Sequence, residues 1–365
     1  MIKFSFKKQV SILSVIVLIF ILNSQVKVRL VPERKVKQKF LKSYKINKNW
    51  RELTLLKVIP GVNENKFFFR NPSDMCFSDD GRLFVVDNFL SQITVLTNEG
   101  DFIRTFGKFG QGPGEFNYPL RIEIDEKDTL YVYQGGRMTM LNTHGKFLDL
   151  YHILFTVDDF VIARGKVYAN KNYRPKENIE GIIQVLDKTG KTIFSFGEPY
   201  WISDLKINDE AVLLATDQQR LFVCFRHHPV LRIYNLDGQL IKEIRVNLDI
   251  LNRLEKLVSD SKYTGIKYNP RAIPRLPRLM AGLAVYDNRI YILLHLPRIE
   301  ILSLDMDGKI LNHYYYNNIN DIINYGYGFL VRKEYGALRF YVSNSPEGKI
   351  YIFEYNNKNY GGILK

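Results

Sequence analysis

Residues Asp101 to Gln134 read DFIRTFGKFGQGPGEFNYPLRIEIDEKDTLYVYQ, and this stretch decides the fold. Phe102, Arg104 and Phe106 alternate with their neighbours, the period of an exposed or edge strand. Gly107, Gly110, Gly112, Pro113 and Gly114 break any regular element and let the backbone turn back on itself. After Pro119 come a second alternating run, LRIEID, the polar turn Glu126-Lys127-Asp128, and a third run, LYVY. The unit is strand, glycine-rich connector, strand, tight turn, strand.

Such a unit cannot bury its faces alone, so it must recur. It does. A glycine after polar residues marks equivalent turns at Gly100 (NEG), Gly145 (NTHG), Gly190 (DKTG), Gly238 (NLDG) and Gly308 (DMDG), with spacings of 45, 45, 48 and 70. Strand pairs repeat beside them: MCFSDDGRLFVVD, IEIDEKDTLYVYQ, FVIARGKVYAN, LKINDEAVLLATDQQRLFVCF and LAVYDNRIYILL. A weaker sixth unit is FLVRKEYGALRFYVS followed by KIYIFEY. The wording F-G-x-x-G-x-G-P-G-E-F-x-x-P, then a strand, an acidic turn and L-Y-V, resembles the NHL repeat of β-propeller proteins. That resemblance covers the chain from Arg51 onward and implies an all-β, six-bladed β-propeller of four-stranded blades.

The sixth unit lacks its last strand. RELTLLKVI, Arg51 to Ile59, can supply it, and PGVNENKFFFRNP then precedes MCFS as GKFGQGPGEFNYP precedes RIEI. An N-terminal strand closing the ring would remove an open sheet edge. The alternative register makes Lys349–Tyr355 the last strand and starts the blade near Asp321.

An N-terminal hydrophobic segment precedes the propeller. Lys3, Lys7 and Lys8 flank the run VSILSVIVLIFIL, Val10 to Leu22, so residues 1–24 read as a signal peptide or a membrane anchor (a transmembrane helix on the second reading). Leu22-Asn23-Ser24 is a marginal cleavage site, no cysteine follows, and export is the expectation under either reading. Residues 25–50 form a basic tether and 51–365 the propeller. The net charge of +14 would suggest nucleic acid, but Met1 to Arg51 alone carries 13 Lys and Arg against Glu33. Nucleic acid therefore loses its main support, and contact with a membrane through the N-terminal segment is expected instead.

The 23 Tyr and 24 Phe suit a strand-rich domain with a large core. Cys76 and Cys224 fall in strands on opposite sides of the ring and should be buried, unpaired thiols. Propeller topology places the blade connectors and the loops between second and third strands on one face. GKFGQGPGEFNYP, NKNYRPKENIEG with Tyr173 and Arg174, RHHP with His227 and His228, and HLPR all fall there. An insertion, 247–278, lies on the same face. Ile250, Leu251, Leu254, Leu257 and Val258 have helical spacing, and NPRAIPRLPR suits an extended strap. It is either a lid over the mouth or a loop packed down on the ring.

Superposing the repeats puts Asp74, Arg121, Asp159, Asp204 and Gly282 at the start of each innermost strand. Three carboxylates there could hold Ca²⁺ or another divalent cation, or a basic or hydroxylated ligand; equally, each could accept backbone amides of the next blade. No cofactor is assigned; Ca or Zn is possible. The candidate ligand-binding residues are Asp74, Arg121, Asp159, Asp204, Tyr173, Arg174, His227 and His228. The histidines have no metal-ligand spacing, and no catalytic motif stands out. The expectation is a non-catalytic scaffold outside the cytoplasm for a protein, peptide or glycan. The alternative, which the resemblance also implies, is a metal-assisted lyase or lactone hydrolase at the channel mouth.

Overall fold

A computed structural model describes residues 47, 49–59, 67–172, 181–202, 207–209, 212–259, 278–296, 298–317 and 328–356. Residues 1–24, most of 25–50, Tyr173, Arg174, Asp204, the region of Asp321 and the strap at 260–277 lie outside them. Two short strands come first, β1 (Arg51–Glu52) and β2 (Thr54–Ile59). The first blade is β3 (Pro72–Phe77), β4 (Leu83–Asp87), β5 (Gln92–Leu96) and β6 (Phe102–Phe106). The second is β7 (Arg121–Ile124), β8 (Thr129–Gln134), β9 (Arg137–Asn142) and β10 (Phe147–His152). The third is β11 (Thr156–Ala163), β12 (Lys166–Asn172), β13 (Ile183–Leu186) and β14 (Thr192–Phe196). A two-stranded ribbon, β15 (Tyr200–Ile202) and β16 (Ile207–Asp209), interrupts the next connector. The fourth blade is β17 (Val212–Thr216), β18 (Arg220–Phe225), β19 (Val230–Asn235) and β20 (Leu240–Arg245), followed by helix α1 (Asp249–Ser259). The fifth is β21 (Met280–Tyr286), β22 (Arg289–Leu294), β23 (Ile299–Leu304) and β24 (Ile310–Tyr316). The sixth is β25 (Phe329–Glu334), β26 (Ala337–Asn344) and β27 (Lys349–Tyr355), with β2 as its outermost strand.

The chain is thus an all-β six-bladed propeller of four-stranded blades. Within each blade the inner strands are nearly all buried while the outermost alternates, as in FIRTF, because only its inner face meets a neighbour. Inner strands follow in the order β3, β7, β11, β17, β21, β25, and β25 in turn touches β3. Core packing lies between successive blades: Phe84, Val86, Val95 and Cys76 of the first meet Ile122, Val132 and Leu141 of the second. Cys76 and Cys224 are buried, and neither is in a disulfide.

The five turn glycines all have positive φ, from 82° to 89°. Each also fits under the outer strand of the preceding blade. A Cβ on Gly145 would sit 2.5 Å from Phe106 Cγ, and one on Gly238 2.6 Å from Phe196 Cγ. Gly100 meets Ile59 of β2 in the same way, at 2.5 Å. Gly145→Ala therefore meets both an αL backbone and a ring, and should cost more than about 1 kcal/mol in a denaturant melt.

Two sequence expectations need correction. Arg51 to Ile59 is not one strand: Arg51 and Glu52 pair in parallel with Tyr314 and Tyr315 of the fifth blade, and only Thr54–Ile59 joins the sixth. In the fourth blade LKIND is not the inner strand. The ribbon takes Ile207–Asp209, and Leu213, opposite Cys224, stands where Asp74 stands opposite Val86 and Arg121 opposite Tyr133. The extra hairpin had shifted the alignment onto Asp204.

The described part of the insertion packs down. In α1, Ile250, Leu251 and Leu254 are buried in the core shared by the fourth and fifth blades, and Arg253 pairs with Asp249 one turn earlier at 2.9 Å. Among the described residues no helix is long and apolar enough to cross a membrane.

Candidate functional site

Connectors and second-to-third-strand loops share one face of the ring, and its channel mouth is built by three neighbouring inner strands. Asp74 is third in β3, Arg121 first in β7 and Asp159 fourth in β11. Each reaches forward to the next blade. The Ile122 N–H donates to Asp74 Oδ2 (3.1 Å), and the Leu214 N–H to Asp159 Oδ2 (2.9 Å). Arg121 donates from Nε and Nη2 to the Asp158 carbonyl (2.8 and 2.5 Å), and Nη2 lies 3.6 Å from Asp159 Oδ1. These side chains clasp blades to one another, which gives Asp74 and Asp159 the amide-capping role.

Glu123, two residues after Arg121, is what sequence reasoning missed. In RIEI it reads as an ordinary polar alternation; only closure of the ring brings it beside carboxylates from two other blades. Burial, then the charges of Asp74 and Asp159, push its carboxyl well above the usual range, while Arg121 and the Ile124 N–H pull it down. Burial likewise raises Asp74 to about 7, opposed by Arg121 and reinforced by Asp159. Both residues are half-buried. The nearby Cys76 thiol is also pushed up, chiefly by burial. The mouth therefore holds three carboxylates against one guanidinium.

Beside it the connector 107–120 is braced throughout. Phe116 is buried and its carbonyl accepts the Gly110 N–H (2.9 Å). Glu115 Oε2 accepts the Gly112 N–H (2.9 Å), and Arg137 donates to the Gln111 and Glu115 carbonyls (2.8 and 2.6 Å). The Asn117 N–H donates to Gln134 Oε1 at 2.6 Å. Gln134 ends the second strand of its blade, as Asp87 and Asn344 end theirs in the first and sixth, and all three are buried polar groups. Asp87 accepts the N–H groups of Arg70, Asn71 and Leu90, fixing the loops of the first blade.

His227 and His228 lie apart from the mouth, in the loop after β18. His228 is buried; its Nδ1 is 3.1 Å from Glu255 Oε1 of α1, and Glu255 also pairs with Arg245. The hydrogen bonds to His228 and Arg245 hold Glu255 below its usual range against the opposing effect of burial. This cluster ties the insertion to the fourth blade. Tyr173, Arg174 and Asp204 lie outside the described residues. Among the described residues no group of three or more His, Cys, Asp and Glu side chains is placed to hold a metal ion.

Residues 37–269 match the model of a family described as 6-bladed beta-propeller. A Bacteroides vulgatus protein of the duf4221 family has a solved structure similar to this chain, with a TM-score of 0.55 and 13% identity over 85% of this chain and 99% of that one. A Bacteroides fragilis protein described as exported gives a TM-score of 0.56 and 13% identity, over 85% of this chain and 97% of that one. At such identity the likeness shows the fold alone. Among curated proteins none matches the chain by sequence.

Proposed function

We propose a function for a chain that belongs to this 6-bladed beta-propeller family: it is an exported, NHL-type recognition scaffold that holds a protein, peptide or glycan on its connecting face without catalysing a reaction. The observation that carries this reading is Glu123. Its carboxylate sits in the channel mouth, meets Ile124 next in the chain, and is repelled by Asp74 and Asp159. A like-charged group kept there opposes folding, which favours a role in binding over one in structure. The long loops with Tyr173, Arg174 and His227, and Asp204 in the neighbouring connector, extend the proposed surface, while His228, buried against Glu255, holds its loop to the insertion. The N-terminal segment serves export and holds the ring near a membrane; nucleic acid is not a partner.

The test is a thermal-shift panel on the full chain in detergent at pH 7.5, with short basic and acidic peptides and with maltohexaose, cellohexaose and chitohexaose. At least one probe should raise the Tm of the natural protein and leave Glu123→Gln unmoved. A panel without any such shift contradicts the reading. Stoichiometric Ca²⁺ or Zn²⁺ in the purified protein would favour the second reading, a metal-assisted lyase or lactone hydrolase.

A further inference from the structure

Three aromatic rings stand on the solvent side of the connecting face, next to the channel mouth. Phe89 comes from the loop after β4, Phe109 and Tyr118 from the braced connector, and they are 53%, 64% and 52% exposed. Tyr118 meets Phe89 edge-on (centroids 6.4 Å apart, 87°) and Phe109 at 5.9 Å and 66°. Tyr118 is also held at φ +52°, a conformation that a bulky side chain adopts at a cost. That cost is not recovered in the core, since the ring points outward. Hydrogen bonds hold the backbone on both sides of it: the Tyr118 N–H faces Ser91 Oγ (3.4 Å), and the Pro119 carbonyl accepts from Asn88 Nδ2 (3.1 Å) and from Ser73 Oγ (3.4 Å), the residue just before Asp74. The ledge is thus rigid before any partner arrives, which lowers the entropy lost on binding.

We propose that this ledge docks an extended basic peptide of a partner, with apolar side chains on Phe89, Tyr118 and Phe109 and an arginine or lysine turned into the mouth toward Glu123. The inference rests on the connecting face being the ligand face. Two observations select a basic occupant over a neutral glycan. Asp74, Glu123 and Asp159 face the single guanidinium of Arg121 in the mouth, and an incoming cation favours the ionised form of the two carboxyls whose titration burial has raised, so the charge that complements the site is positive. The ledge already accepts a guanidinium: Arg70 lies 4.9 Å over the Phe89 ring. Only two residues, Pro119 and Leu120, lie between Tyr118 and Arg121, so one short segment can span both features.

The test uses the full chain in detergent and an amidated pentapeptide alternating leucine with arginine, its citrulline counterpart of equal shape without charge, and the three hexaoses. The arginine peptide should bind at least tenfold tighter than the citrulline peptide, and Glu123→Gln should abolish that preference. Phe109→Ala should weaken both peptides about tenfold while leaving the Tm unchanged. Tyr118→Gly removes the ring and relieves the backbone, so it should weaken both peptides without lowering the Tm. Equal affinity for the two peptides, or binding indifferent to Phe109→Ala and Tyr118→Gly, overturns the proposal. A hexaose that binds through Phe109 while the arginine peptide does not overturns it too, yet leaves the connecting face as the ligand face. Failure of every probe removes both.

Discussion

Internal deletion of residues 51–59 is expected to abolish the cooperative melt and leave an aggregating protein. Thr54–Ile59 pairs along β27 from Glu354 to Ile350, so its removal exposes the edge of an otherwise buried strand. Leu53 and Ile59 are 3% and 0% exposed, and burying each contributes about 2 kcal/mol. Ile59 also fills the space over Gly100 that Phe106 fills over Gly145. With the lost strand pairing added, the deletion removes an amount comparable to the roughly 5–15 kcal/mol by which domains of ordinary size are stable. Circular dichroism melts with size-exclusion chromatography give the readout. A deletion variant melting like its parent would mean that the sixth blade stands without β2.

Glu300→Ala should cost about 3–5 kcal/mol, the penalty for leaving a buried charge without its partner. Glu300 is fully buried; its Oε1 accepts from Arg298 Nε at 2.5 Å and its Oε2 lies 2.8 Å from His313 Nε2. Trp50 stacks on His313 with centroids 3.7 Å apart, and the Arg298 guanidinium lies 5.6 Å over Trp50. The cluster therefore also seats the segment that becomes β1 and β2. Glu300→Gln keeps the shape and an acceptor, so it should lose less than half as much. Urea denaturation measures both, and a loss under about 1 kcal/mol for the alanine variant would contradict the assignment.

Local features of the fold were legible because each is written in contiguous residues. Gly100, Gly145, Gly190, Gly238 and Gly308 announce a turn that needs positive φ, and α1 is announced by Ile250, Leu251 and Leu254 one turn apart. What depends on closure was hidden. Glu123 is one polar residue in an alternating strand until Asp74 and Asp159 arrive from blades that lie 49 residues before and 36 after it. Asp204 was misplaced because the β15–β16 ribbon inserts a second strand-like run ahead of the true inner strand at Val212. The pairing of His228 with Glu255 spans 27 residues and the pairing of Glu300 with His313 needs two adjacent strands, so neither forms a spacing motif. Candidate-site residues were thus found where a side chain clasps the next blade, and missed where the site is made only by three blades together.

The central claim is that the channel mouth holds carboxylates whose charge the fold does not neutralise. It predicts a pH dependence of stability with a definite sign. Asp74 is raised from 3.8 to about 7, so between these values the unfolded chain ionises while the folded one keeps its proton. Stability from this group is complete below pH 4, is lost as pH rises to 7, and is level above; the whole span is at most about 4 kcal/mol. Glu123, raised for the same reasons, adds to the same slope. Asp74→Asn keeps an oxygen for the Ile122 N–H and removes the charge. The measurement is the unfolding free energy of the full chain and of Asp74→Asn at pH 4 and pH 7.5. The account predicts that the asparagine variant gains on the natural protein by a few kcal/mol between the two pH values; parallel profiles, or a natural protein that gains stability over this range relative to the variant, would contradict it.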